Sequence, residues 1–330
     1  MPDVTVAILD KFHPHIKKAI ETAAPANWSL RFIDESTLAA RIAVIGDADI
    51  AFAMAAPIPA ELIAAAKRLR FIQKLGAGVD RIDVEACRTR GIGVARLHAG
   101  NSIPVAEHTI LLMLAVYRQL PQIDRRTRAG AWNKEDARGE HRQLQGKTVG
   151  LIGFGAIGRE VAKRLAGFDV KIIYYDPVRA PRDIEQKLSV THAELDDLVR
   201  TADIVSLHLP LLPQTAGIIN AGRIRAMKPG AVLINAARGG LVDEAALTAA
   251  LKDGHLFGAG IDAFSKEPPV GSLLLELDNT VITSHLAGAT LDNFTGVIAR
   301  AVANTEAVLR GEPIPETDTV VRVGSAQPAH

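Results

Sequence analysis

The sequence predicts an α/β protein built on two parallel sheets. Three observations carry this expectation. Short β-branched apolar runs alternate with longer amphipathic segments. The alternation occurs twice along the 330 residues. A glycine-rich strand-to-helix turn opens the second series and not the first. At about 150 residues per domain, the length is itself a prior for two domains.

In the first series the strand candidates are Val4–Leu9, Leu30–Ile33, Ile50–Met54, Phe71–Leu75 and Gly93–Leu97. Helix candidates such as Pro59–Leu69 lie between them, this one opened by a proline where the first turn has no N–H to lose. From Asn101 a long apolar helix follows, with Asn101 or Ser102 as its N-cap, and reads as a spine between two units. After a polar stretch from Asp124 to Gln145, the second series gives strands near Thr148–Ile152, Lys171–Tyr175, Ile204–Leu207, Val232–Asn235, Gly258–Ile261 and Val281–Thr283. The last helix candidate, Leu291–Leu309, sets Phe294, Val297, Ile298, Ala301, Val302, Ala307 and Val308 close to a 3.6-residue period. The tail after Glu312 is polar and proline-containing and is expected to be loose.

Composition removes several classes of function. With 38 Lys and Arg against 37 Asp and Glu, no net field draws the chain to phosphate backbones or anionic membranes. Aromatics at 4% are too few for a single-strand stacking platform. The one cysteine, Cys87, excludes an internal disulfide and a four-thiolate metal site, and fits a reducing compartment. The start, Met-Pro-Asp-Val-Thr-Val, is neither basic nor apolar, and the greasiest run, Ile110 to Val116, is too short to span a bilayer. The expectation is a cytoplasmic protein that binds neither nucleic acid, membrane nor metal.

The first constellation is Thr148-Val-Gly-Leu-Ile-Gly-Phe-Gly-Ala-Ile-Gly, with Gly153, Gly155 and Gly158 in G-x-G-x-x-G register. It follows a strand and opens a helix at Ala156 and Ile157, and the next strand ends in Asp176, about 20 residues on. The first glycine permits a tight turn, the second admits a pyrophosphate to the backbone, and the third lets helix pack on strand. The pyrophosphate is then held by free N–H groups at a helix N-terminus. An acid at Asp176 accepts both ribose hydroxyls and repels a 2′-phosphate, so NAD(H) is expected over NADP(H). Arg179 and Arg182 could accommodate that phosphate, but are read as solvated loop charges.

The second constellation is ionisable. Arg238 lies in Asn235-Ala-Ala-Arg-Gly-Gly, Glu267 in Phe264-Ser-Lys-Glu-Pro-Pro, and His285 in Thr283-Ser-His-Leu-Ala-Gly. Singly, each has an ordinary reading as loop, turn or structural histidine. Together they all follow strand ends of the second series, where open α/β sheets bind ligands. A third feature, Leu75-Gly76-Ala77-Gly78-Val79, sits at a strand end of the first series with glycines that can expose N–H groups as an anion nest.

With these pieces assembled, the sequence resembles the D-isomer-specific 2-hydroxyacid dehydrogenase family over nearly its whole length. The matching segments are Lys74-Leu-Gly-Ala-Gly-Val-Asp-Arg-Ile-Asp, Val105-Ala-Glu-His, the glycine fingerprint, Ser206-Leu-His-Leu-Pro, Asn235-Ala-Ala-Arg-Gly, Glu267-Pro and His285-Leu-Ala-Gly. The resemblance implies two Rossmann-like or flavodoxin-like parallel-sheet domains with a cleft between them. A discontinuous substrate-binding domain would comprise residues 1–100 plus 287–330, and an NAD-binding Rossmann domain residues 101–286. The two account for essentially the whole length, and no regulatory module is expected.

The resemblance also implies roles. Arg238 grips the substrate carboxylate, His285 is the general acid and base at the carbonyl oxygen, and Glu267 bonds the other ring nitrogen and fixes its tautomer. The similar formate dehydrogenases carry glutamine in place of Glu267. Leu75, Gly76, Ala77 and Gly78 would bind the same carboxylate. Cofactor contacts would come from Val105 behind the nicotinamide and Asp262 on its carboxamide. Ala236, Ala237, Arg238, His285 and Gly288 would lie at that end, with Leu209 and Pro210 on the adenosine side. Glu107 and His108 read as structural, since adjacent helix residues do not face each other. Lys74 is either a structural charge or a reader of a second anionic group.

The expected function is therefore NAD-dependent interconversion of small 2-keto and D-2-hydroxy acids, ranked ahead of a 3-phosphoglycerate dehydrogenase type. The rival is a non-enzymatic NAD(H)-sensing protein like the corepressors that resemble this family. A homodimer is expected through the apolar helix Ile110 to Tyr117.

Overall fold

The computed structural model of the protein describes residues 4–132 and 134–324. Its strands in chain order are β1 (Val4–Ile8), β2 (Trp28–Phe32), β3 (Ile50–Ala53), β4 (Phe71–Lys74), β5 (Gly93–Ala95), β6 (Thr148–Ile152), β7 (Lys171–Tyr175), β8 (Val190–His192), β9 (Ile204–Leu207), β10 (Ala231–Asn235), β11 (Leu256–Ile261), β12 (Thr280–Ile282) and β13 (Thr319–Val321). They divide between two compact units, Met1–Asn101 with Thr290–His330, and Ser102–Ala289.

The first unit has the strand order β13-β5-β4-β3-β1-β2. β1 to β5 are parallel, and the central β3, apolar and buried along its whole length, needs helices on both faces to cover it. One face packs Val6, Ile8, Phe52 and Phe71 against Phe294, Val297, Ile298 and Ala301 of the helix Leu291–Leu309. The other packs Ile72 and Val94 under the helices Leu38–Ile45, Ala60–Ala65 and Val84–Thr89. Cys87 is buried here, and desolvation pushes its thiol up to about 12, which removes it as a nucleophile near neutral pH.

Residues 313–324 are not loose as expected for the tail; 325–330 lie outside the described residues. β13 pairs antiparallel with β5, so this sheet is not purely parallel. The anchor is Asp318, fully buried, whose carboxylate accepts from His98 N, Arg300 Nη2 and Asn304 Nδ2 at 2.9, 2.6 and 3.1 Å.

The second unit has the order β12-β11-β10-β9-β6-β7-β8, all parallel. The chain runs outward from β6 to β8, returns beside β6 at β9 and continues outward the other way. The carboxyl ends of β6 and β9 thus form a topological switch point, the place where such sheets bind ligands.

The apolar helix Ser102–Tyr117 belongs to this core. Leu112, Met113, Val116 and Tyr117 are buried against β10, β11 and the helix Ala156–Leu165. Glycines open the room it needs, since a Cβ on Gly258 would stand 2.7 Å from Val116 Cγ1 and one on Gly260 2.9 Å from Leu112 Cβ. Its own unit thus buries most of the helix, and Ile103, Glu107 and Leu111 form its exposed side. Among the described residues no helix is long and apolar enough to cross a membrane.

Candidate active site

The turn after β6 carries the three glycines in three different physical situations. Gly153 has φ +95°, and a Cβ there would lie 2.6 Å from His208 O, so the turn needs glycine twice over. A Cβ on Gly158 would stand 2.3 Å from Gly153 O, which fixes how closely the helix approaches the strand. A Cβ on Gly155 meets nothing. That open space lies over the N-terminus of the helix Ala156–Leu165, whose N-cap is Gly155. No side chain therefore stands between these backbone donors and an approaching pyrophosphate, which the helix dipole also favours. Ala156 and Ile157 are partly exposed in that first turn.

Two flanking elements complete this end. Asp176 follows β7 and accepts from Phe154 N at 2.8 Å and Val178 N at 3.1 Å, tying the acid to the glycine turn. Across the switch point, His208 follows β9, with Nε2 3.0 Å from Ser206 Oγ. Burial pushes its pKa down to about 3, so it presents a neutral ring beside the turn. Leu209 is buried against Gly153, while Pro210 is exposed.

Arg179 is solvent-exposed, as the sequence suggested, and is also paired. Its Nε and Nη2 reach Glu185 Oε1 and Oε2 at 2.9 and 3.0 Å, a bidentate pair. Glu185 also accepts from Tyr174 Oη at 2.6 Å. The bonds from Arg179 and Tyr174 hold its carboxyl down at about 2, so it stays ionised across the working range of enzymes.

The ionisable constellation is assembled by the carboxyl ends of β10, β11 and β12. Asn235, buried at the end of β10, receives Ala237 N on Oδ1 at 3.1 Å and donates from Nδ2 to Arg238 O at 2.9 Å. This ties the turn Ala236–Arg238 to the strand. Gly239 then lies so close to the next loop that a Cβ would fall 1.8 Å from Phe264 C. That loop runs on to Glu267, whose Oε1 accepts from His285 Nδ1 at 2.7 Å. An ionised carboxylate only accepts, so Nδ1 carries the hydrogen of this bond.

His285 itself has φ +55°, a left-handed conformation that a histidine adopts only when its surroundings impose it. Asp262 imposes it. Its backbone carbonyl accepts His285 N at 2.8 Å, and its carboxylate accepts Leu286 N, Ala287 N and Thr283 Oγ1 at 2.9, 3.0 and 2.6 Å. With three of its roughly four acceptor sites filled and no exposed surface, Asp262 is a turn-builder in this structure. His108 extends the network, with Nε2 3.0 Å from Thr283 Oγ1, while Glu107 pairs outward with Arg164. Val105 is buried in the first turns of the same helix.

In the first unit, the loop Leu75–Gly78 follows β4. Leu75 N bonds Ala53 O and Leu97 N bonds Gly76 O, which pins the base of the loop. Beside it, Asp10 accepts from Met54 N, Ala55 N and Ala56 N, and Lys74 Nζ donates to Met54 O. Lys74 is thus built into the loop framework.

A family model, the NAD binding domain of D-isomer specific 2-hydroxyacid dehydrogenases, matches residues 110–287. A hydroxypyruvate reductase from Thermotoga maritima is 41% identical over 241 residues, 72% of this chain and 77% of that protein. The chain belongs to the D-isomer-specific 2-hydroxyacid dehydrogenase family. A D-3-phosphoglycerate dehydrogenase from Mycobacterium tuberculosis is 36% identical over 316 residues, 96% of this chain but only 58% of that enzyme. The chain thus spans under two thirds of the length of that relative. Among solved structures, the NAD-dependent formate dehydrogenase from Staphylococcus aureus in complex with NAD superposes with a TM-score of 0.86. It is 28% identical and covers 97% of this chain and 99% of its own.

Within this member of the 2-hydroxyacid dehydrogenases, Arg238, Glu267 and His285 fall on three adjacent strand ends, and the glycine turn lies at the switch point. The residues that sequence reasoning left without a role are Asn235, Gly239 and His208. Asn101, one of the two N-cap candidates, has its Oδ1 buried without a hydrogen-bond partner among the described residues, so that oxygen caps no N–H. Asn235 and Gly239 stood inside a quoted motif, but nothing local marks a side chain that braces its own turn.

The glycine turn makes a separable prediction. Gly155→Ala weakens NAD+ binding by at least about tenfold, because a methyl group occupies the pyrophosphate approach. Its melting temperature stays within about a degree of the parent, since the methyl meets no protein atom. Gly158→Ala loses stability as well. Calorimetric titration and a thermal melt on both variants check this, and equal melts would overturn it.

Proposed function

We propose that this protein is an NAD-dependent oxidoreductase that interconverts small 2-keto acids and D-2-hydroxy acids. The single observation that carries the reading is the 2.7 Å bond from His285 Nδ1 to Glu267 on an imposed left-handed turn. It presents Nε2 as a proton donor and acceptor of fixed direction. A carboxylate partner distinguishes this from the formate type, whose oxidation needs no proton relay.

In the reduction, His285 gives its Nε2 proton to the carbonyl oxygen; in the oxidation it takes the hydroxyl proton back. Arg238 holds the substrate carboxylate with its planar fork, and the loop Leu75, Gly76, Ala77 and Gly78 offers the first unit's own nest for an anionic substrate. NAD(H), its pyrophosphate held by the glycine turn and its adenosine ribose by Asp176, would supply hydride exchange at C2 when bound. Val105, Ala236, Ala237 and Gly288 border its ring end, and Leu209 and Pro210 its adenosine end. Residues 1–100 with 287–330 would then be the substrate-binding domain and 101–286 the NAD-binding domain.

The test is a steady-state NADH-oxidation screen with glyoxylate, hydroxypyruvate, pyruvate, phenylpyruvate and phosphohydroxypyruvate. Turnover of one of the unphosphorylated acids is expected. Turnover confined to phosphohydroxypyruvate would move the substrate to the phosphoglycerate class. NADH binding with no turnover would favour a nucleotide-sensing protein. A homodimer is part of the same proposal, now resting on the exposed apolar side chains Leu111, Leu120 and Trp132 of the second unit. Light scattering that returns one chain's mass would reject it. A cytoplasmic location follows from the same metabolic role and the lone buried thiol, and cell fractionation tests it.

A further inference from the structure

We propose that Glu185 sets the preference for NAD(H) over NADP(H) by holding Arg179 in a closed ion pair that denies it to a 2′-phosphate. The inference rests on the NAD reading above and adds the residue that enforces it. An acid at the end of the second strand selects against the extra phosphate, whereas an arginine nearby welcomes it. This chain has both, Asp176 and, three residues on, Arg179. By type alone the pair is ambiguous.

The geometry resolves it. Arg179 spends Nε and Nη2 on the two oxygens of Glu185, fork against fork, at 2.9 and 3.0 Å. Glu185 is itself nearly buried and held by Tyr174 Oη at 2.6 Å. Tyr174 Oη in turn accepts Ala180 N at 3.0 Å, which closes the loop carrying Arg179 back onto β7. The Tyr174 ring stacks on Phe154 with centroids 4.1 Å apart, and Phe154 N donates to Asp176. The cofactor-selecting acid and the pair that silences the arginine therefore share one scaffold.

A 2′-phosphate brought to this loop would meet two carboxylates, Asp176 and Glu185, and a guanidinium whose charge is already matched. Neutralising Glu185 reverses the balance. Glutamine is nearly isosteric and can still accept from Tyr174, so Arg179 stays in the loop with a full positive charge and donors seeking an anion. Because Glu185 touches the arginine and not the cofactor, it is a positioning residue. Its signature is a change in the ratio of two affinities, which a loss of fold would not produce.

The experiment is calorimetric titration of the intact protein with NAD+ and with NADP+, for the parent, Glu185→Gln, Arg179→Ala and the double variant. The parent is expected to prefer NAD+. Glu185→Gln should shift the ratio of dissociation constants toward NADP+ by about tenfold or more. Adding Arg179→Ala should remove that gain, while Arg179→Ala alone, which leaves the Glu185 carboxylate unmatched, should not raise NADP+ affinity relative to NAD+. An unshifted ratio in Glu185→Gln that still binds NAD+ overturns the proposal. So does an Arg179→Ala that gains NADP+ affinity relative to NAD+, an arm that holds even if Glu185→Gln does not fold. A parent that binds neither dinucleotide overturns the NAD reading itself, and so separates the two failures.

Discussion

His285→Asn is expected to lower kcat/KM by about 10²–10⁴-fold, the range that removal of a general acid–base commands. NAD+ affinity and melting temperature should stay near those of the parent. Asparagine is chosen over alanine because of the backbone. His285 sits at φ +55°, and asparagine visits that region more readily than alanine does. Any strain the substitution introduces is therefore small, and the loss reports the missing imidazole. The turn should keep its shape, since the bonds that build it run from His285 N, Leu286 N and Ala287 N to Asp262 and need no imidazole. The measurement is steady-state kinetics across pH with a substrate found in the screen, beside NAD+ titration and a thermal melt. A variant within a few-fold of the parent would remove His285 from the chemistry, and Arg238 and Glu267 would need another explanation.

Much of this arrangement was legible because parallel strands covered on both faces must be apolar throughout, and such runs stand out from helices that repeat every 3.6 residues. β6, β7 and β9 were read to the residue on that basis. What escaped depends on partners distant in sequence. β13 is a three-residue edge strand that exists because Asp318 collects donors from His98, Arg300 and Asn304, and no local pattern marks it. β8, equally short, lies at the other sheet's edge. The helix Ser102–Tyr117 was seen, but which of its side chains its own unit buries was not legible, because a helix buried by its own unit and one buried by a second copy carry the same composition. The exposure of Arg179 was legible and its bond to Glu185 was not, because the sequence shows a charge without its partner. The candidate trio was visible as three strand-end residues, whereas Asn235 and Gly239, which brace the turn at Arg238, had no separate signal, and Asp262 was marked for another role than the turn it builds.

Gly239 gives that distinction its sharpest test. In the sequence, Gly239 and Gly240 form a pair that reads as an ordinary loop, with nothing to tell them apart. In the structure a Cβ on Gly239 would lie 1.8 Å from Phe264 C and 2.0 Å from Ser265 N, both backbone atoms. One on Gly240 would meet only the tip of the Leu211 side chain, at 3.0 Å. A leucine tip can turn aside, but the Phe264–Ser265 backbone is held, with Phe264 N bonded to Glu267 at 3.3 Å and Ser265 N to Glu244 at 2.6 Å. Gly239→Ala must therefore push the Arg238 turn and the Glu267 loop apart, moving the carboxylate clamp and the histidine's partner in one displacement. The expected cost is at or above the usual overpacking range, about 3 kcal/mol. At about 2–4 °C per kcal/mol for a unit of this size, Tm falls by roughly 6–12 °C. Because a misplacement near 1 Å costs about 10²-fold in rate, kcat/KM should fall by at least that factor in the protein that remains folded. Gly240→Ala, one residue on, should melt within about 2 °C of the parent and keep most of its activity. Parallel melts and kinetics on the two variants decide the matter. If both behave alike, the close packing of Gly239 on Phe264 is not what holds Arg238 and Glu267 in register.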